Sequence, residues 1–147
     1  MPKIMKSMNS ISRCQSIYRQ EHSPSDLLPC HHTFILAICR LPGRSQEQLA
    51  KDICLNKSTV ARTLTQLEKA GYVTRVANEK DKRQLLVYPT EKMTEILPTV
   101  RKITARWNEL ISKDISEDEM KIFESVLRRM EQSARELITK TEDDNQE

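Results

Sequence analysis

Between Lys57 and Gln66 the chain sets Lys57, Ser58, Thr59, Arg62, Thr63 and Gln66 opposite an apolar stripe, an array suited to binding a polyanion. Lysine and serine side chains hold phosphate oxygens, whereas arginine, glutamine and threonine form hydrogen bonds with base edges. Arg62 is the best candidate for base readout, with Thr59, Thr63 and Gln66 in support and Lys57 and Ser58 on phosphates. Ser45 and Gln46, at a helix start, are further phosphate donors. A second basic cluster, Lys80, Asp81, Lys82 and Arg83, follows 14 residues after Gln66, its two lysines again suited to phosphates.

Other reactive residues argue for less. Cys14, Cys30, Cys39 and Cys54 form no C-x-x-C pair and show no zinc spacing, which reads as free thiols. Cys14, near Tyr18 on a helix, is the candidate redox thiol if its pKa is lowered. Cys30, His31 and His32, with His22 nearby, invite a metal, but adjacent helical residues point in different directions and no carboxylate partner is evident. A helix-start histidine pair, partly exposed or hydrogen-bonded, is the simpler reading, and no metal or cofactor is expected. A thiol enzyme built on Cys30 with His31 or His32 would need an oxyanion donor, usually glycine-rich backbone, yet Gly43 and Gly71 are the only glycines. An enzyme is therefore not expected.

These groups need helices to position them. Ser45 with Gln48 spells a capping box for a helix burying Leu49, Ala50 and Ile53. Asn56 caps a second helix in which Val60, Leu64 and Leu67 recur on one face, and Gly71 supplies the left-handed stop. The pair reads as a helix-turn-helix. An amphipathic helix from Ile4 to about Arg19 precedes it, with Ile4, Met8, Ile11 and Tyr18 along one face. A linker from Glu21 to Pro29, an apolar helix from His32 to Leu41 and a turn at Pro42-Gly43 come next. After Gly71, Tyr72 to Val76 and Gln84 to Tyr88 read as a β-hairpin with a basic tip. Thr90 caps a helix with Ile96, Val100, Ile103, Trp107 and Leu110 on its stripe, bent early by Pro98. Ser116 and Glu119 open a last helix whose Met120, Phe123, Leu127, Met130, Ala134 and Leu137 make a coiled-coil-like seam.

The chain has 147 residues, 37% hydrophobic and 31% charged, in keeping with one soluble domain with a modest core. Net charge is +2 over residues 1–39, +5 over 40–84 and −4 over 85–147. A basic middle beside an acidic end suits a polyanion-binding head on a non-binding support. The middle lacks the exposed aromatic and leucine face of an interfacial helix, no run is long enough to cross a bilayer, and the first residues lack a signal-peptide core. No membrane partner and a cytoplasmic location are expected.

This order of elements resembles the MarR-type transcription regulators, and the local sequence does too. SQEQLAKDICLNKSTVARTLTQLEKAGYVTR resembles the family's helix-turn-helix, and EKDKRQLLVYPTEK resembles its wing, with the D-x-R signature as Asp81-Lys82-Arg83. The similarity is strongest from about Leu41 to Lys92. Where the family often reads L-T-x-x-G, this chain has Pro89-Thr90-Glu91-Lys92-Met93. The resemblance implies that Arg83 is a minor-groove finger braced by Asp81, and that a small ligand or cysteine oxidation controls binding. It also implies a mainly α fold with a small β-hairpin wing.

The expected organisation is one MarR-like domain over 1–147. Within it, 1–28 and 94–140 are dimerisation helices, 30–92 is the winged helix-turn-helix and 141–147 is an acidic tail too polar to order itself. The apolar faces of the terminal helices exceed what one chain covers, so a homodimer is expected. Its partner is double-stranded DNA, bound at a pseudo-palindromic operator, most simply for repression. The rival readings are a winged-helix module that binds protein rather than DNA, and a cysteine- or metal-based sensor of the same fold.

Overall fold

Local hydrogen bonding explains where the elements begin. In the computed structural model, which describes residues 3–144, α1 spans Ile4–His22, α2 His31–Arg40 and α3 Gln46–Ile53. Helix α4 spans Lys57–Lys69, α5 Glu91–Ser112 and α6 Glu117–Asp144. Three short strands, β1 (Arg44–Ser45), β2 (Val73–Ala77) and β3 (Leu85–Pro89), complete the chain. The result is the expected mainly helical fold with a small β wing. Among the described residues no helix is long and apolar enough to cross a membrane.

The expected caps are present. The Ser45 hydroxyl accepts from the Gln48 N–H at 3.1 Å while the Gln48 side chain accepts from the Ser45 N–H at 3.0 Å, satisfying two donors that a helix start leaves open. The Asn56 side chain accepts the Thr59 N–H at 2.8 Å to open α4. Ser116 and Glu119 form a second box opening α6. The Met93 N–H reaches the Thr90 hydroxyl at 3.4 Å, so α5 starts where expected despite the departure from the family pattern. Pro98 lies inside α5, which continues through it.

Residues up to Trp107 form one compact unit and Asn108 onward a second. The first unit has its core between α2, α3, α4, the sheet and the start of α5, with Phe34, Ile35, Leu49, Val60, Leu64 and Leu67 all at most 1% exposed. Leu27, in the expected linker, and Met93 join this core. By contrast Ile53 is half-buried and Leu110, expected on the α5 stripe, is exposed.

The hairpin begins one residue later in each strand than expected and is three-stranded. Strand β3 lies between β1 and β2, both antiparallel to it, with Arg75 opposite Val87 and Ser45 opposite Leu86. Gly43 makes the β1 pairing possible. Its φ is +84° and a Cβ there would sit 3.1 Å from the Tyr88 ring, so any other residue would be strained and crowded. Helix α3 ends on Cys54, the one non-glycine residue at positive φ among the described residues.

No residue of α1 is buried. In the second unit α6 likewise leaves its seam open, with Phe123 56% and Leu137 67% exposed. Helix α6 runs to Asp144, so the first part of the expected tail, 141–144, is helical rather than unstructured, and 145–147 lie outside the described residues.

Candidate nucleic-acid interface

Burial of Val60, Leu64 and Leu67 under α4 fixes which of its side chains face outward. Lys57, Ser58, Arg62 and Gln66 are exposed and Thr59 is half-buried. Thr63 is a correction: it is 8% exposed and lies inward, because at helical spacing it falls beside Val60, Leu64 and Leu67 on the stripe it was expected to oppose. Ser45 is a second correction. It is 3% exposed, and although it borders the groove beside Gln46, its hydroxyl is taken up in the capping box, so it acts as a cap rather than a phosphate donor.

The wing tip is held by its own backbone. Asn78 N–H donates to Gln84 O at 2.9 Å and Gln84 N–H to Asp81 O at 3.0 Å. The Asn78 carboxamide accepts the Lys80 N–H, and the Asp81 carboxylate accepts the Arg83 N–H at 3.1 Å. These side-chain turns carry Lys80, Lys82 and Arg83 into solvent. The Arg83 side chain is 96% exposed, with its Nε 3.9 Å from Asp81. Between the wing and the start of α4 runs a groove of about 330 Å³, lined in part by Gln46, Lys57, Ser58 and Arg83. Lys57 also pairs with Glu47 at 3.3 Å.

Two anchors escaped the sequence reading. Arg75 reaches from β2 to Gln46 on α3 and to Thr65 and Glu68 on α4, at 3.0 to 3.3 Å. Its hydrogen bond holds the Glu68 carboxyl below the ordinary range. An arginine at a position alternating with buried Val73 was the available signal, since buried arginines are rare unless paired. The second anchor pins the far end of α4. Tyr72 donates to Asp26 at 2.8 Å, while the Lys92 ammonium lies 4.3 Å from the Tyr72 ring centre and donates to Ala70 O at 2.7 Å. Burial, then Asp26, pushes the Tyr72 phenol up to about 12.

The histidine pair is buried rather than partly exposed, at 3% for His31 and 0% for His32. His31 Nδ1 accepts the Leu28 N–H at 3.2 Å, and His32 Nε2 lies 2.7 Å from the Ser23 hydroxyl. Burial, with Arg19 and His31 adding positive charge, drives His32 down to about 4. Among the described residues no three His, Cys, Asp or Glu side chains are grouped to hold a metal. All four cysteines are free, with Cys14 exposed on α1.

Residues 32–85, from α2 to the start of β3, match the model of the MarR family. Over those residues the chain is similar to the MarR family. It is 27% identical over 131 residues, 88% of this chain and 87% of the relative, to an uncharacterised HTH-type transcriptional regulator of Bacillus subtilis, YybA. The crystal structure of MarR superposes with a TM-score of 0.83 at 29% identity, covering 93% of each chain. A MarR-family regulator from Listeria monocytogenes, solved with a 26mer DNA, shares the fold at a TM-score of 0.81 and 21% identity, over 92% of this chain and 91% of that one. The proteins it is similar to are transcription regulators.

Proposed function

We propose that the chain is a sequence-specific regulator that binds a pseudo-palindromic operator in double-stranded DNA as a homodimer and represses by occluding polymerase. One observation carries this reading: the exposed start of α4, at Lys57 and Ser58, and the extended Arg83 border a single groove. A helix of this kind fits a major groove, and a guanidinium on a hairpin tip fits the narrow, strongly negative minor groove beside it. Arg62 is the base reader, supported by Thr59 and Gln66. Gln46, Lys57, Ser58, Lys80 and Lys82 hold phosphates, and Asp81 sets the loop that carries Arg83. The DNA-bound Listeria relative supports the reading through shared fold.

Residues 1–28 and 94–140 are the dimerisation helices in this proposal, flanking a winged helix-turn-helix at 30–92. Their support is the apolar surface that α1 and α6 leave uncovered, including Met5, Ile17, Phe123 and Leu137, each more than half exposed. Release by a small ligand or by oxidation of Cys14 forms the regulatory half, and the thiol is exposed as oxidation requires. The test is a mobility shift against random duplex at low salt. A retarded complex that dissolves as salt rises is expected, and a chain that shifts no duplex at any salt overturns the proposal.

A further inference from the structure

The Arg75 side chain is 15% exposed and each of its three nitrogens donates a hydrogen bond. Nη1 donates to Gln46 Oε1 at 3.0 Å, Nη2 to Thr65 Oγ1 and Glu68 Oε1 at 3.1 Å each, and Nε to Glu68 Oε2 at 3.3 Å. A guanidinium only donates, so the Gln46 carboxamide must turn its oxygen toward Arg75. Its NH2 is left for the other side, and Gln46 lines the groove between the wing and the start of α4.

In a duplex the major and minor grooves are separated by one sugar-phosphate strand. With α4 in the first and Arg83 in the second, that strand runs along this groove, past Gln46, Lys57 and Ser58. A phosphate there accepts hydrogen bonds and repels a carbonyl oxygen, so the amide orientation decides whether Gln46 attracts or opposes DNA. We infer that Arg75 is a positioning residue for DNA binding: it holds the Gln46 amide with its N–H groups toward the phosphate between the wing and α4. This rests on the DNA-binding reading above.

The experiment is duplex binding by fluorescence anisotropy with the full chain carrying Glu68→Gln, so that removing Arg75 frees no carboxylate. In that background Gln46→Ala and Arg75→Met should each weaken binding about tenfold per half-site, as for a lost hydrogen bond to a charged group. Together they should still cost only about tenfold per half-site rather than about a hundredfold, because the two side chains act as a unit. Glu68→Gln alone breaks an ion pair but leaves Gln46 oriented, so it should lower the thermal midpoint while leaving affinity unchanged. Additive losses, or a Glu68→Gln loss of affinity equal to that of Arg75→Met, overturn the inference and make Arg75 a clamp only.

Gln46→Glu keeps an acceptor for Arg75 and turns a second oxygen on the phosphate. Weaker binding than Gln46→Ala at an unchanged thermal midpoint is expected. Binding equal to or tighter than Gln46→Ala overturns the inference even if Arg75→Met does not fold. A parent chain that binds no duplex would instead sink the DNA-binding reading, and this one with it.

Discussion

Arg83→Ala separates folding from DNA binding more cleanly than any other change. The Arg83 guanidinium stands in solvent, 3.9 Å from Asp81, beyond hydrogen-bond range. The tip is held by backbone and Asx bonds that survive the substitution, since Asp81 accepts from the Arg83 N–H and not from its side chain at short range. The thermal midpoint should therefore stay at the wild-type value. Each cation withdrawn from the phosphate field makes the slope of log affinity against log salt shallower by about 0.9, so two wings on one duplex give about 1.8. Between about 50 and 200 mM salt, the variant should lose about tenfold less affinity than wild type does, starting from a weaker complex. Anisotropy of a labelled duplex across a salt series, with a thermal melt beside it, measures both. An unchanged slope and affinity would place the wing off the DNA. A fall in the melt equal to the fall in binding would make Arg83 a folding residue.

Arg62→Ala should cost about 1–3 kcal/mol and relax preference at one position per half-site; equal losses on operator and random duplex would make Arg62 a phosphate contact. Phe123→Glu puts a charge on a side chain that is 56% exposed in the protomer, so it should give folded monomers in sedimentation, and an intact dimer would place the interface elsewhere. Acid should destabilise the fold through His32. Its ordinary value of 6.5 falls to about 4 on folding, so between those values the unfolded chain binds a proton the folded chain refuses. Stability should then drop as pH falls through that window, by about 3 kcal/mol in all. His32→Leu should flatten that part of a pH-resolved denaturation series, and an unchanged curve would contradict the buried neutral imidazole.

What was legible in the sequence was local. Ser45 with Gln48 and Ser116 with Glu119 satisfy each other, and Asn56 accepts the Thr59 N–H, all within a single turn, so four residues of sequence suffice to read a cap. The stripe of Val60, Leu64 and Leu67 is equally local. Thr63 was misplaced because its polarity was weighed above its angle on the helix. What stayed hidden depends on contacts across the fold. Strand β1 is two residues long and exists because Gly43 admits the Tyr88 ring. Leu27 is buried beside Asp26, the residue before it, which is tied to Tyr72 and Lys92, 46 and 66 positions further along the chain. Arg75, on a strand, meets its partners on two helices, and Gln46, polar and at a helix start, accepts from an arginine 29 residues away.

The most direct test of the central claim, that the α4 face and the wing tip together seat on duplex DNA, is selection of bound sites from a random duplex library. The account predicts enrichment of a pseudo-palindrome with half-sites about one helical turn apart, lost from the pool when Arg62 and Arg83 are both changed to alanine. A pool that shows no enrichment, or the same enriched site with the doubly substituted chain, would contradict it.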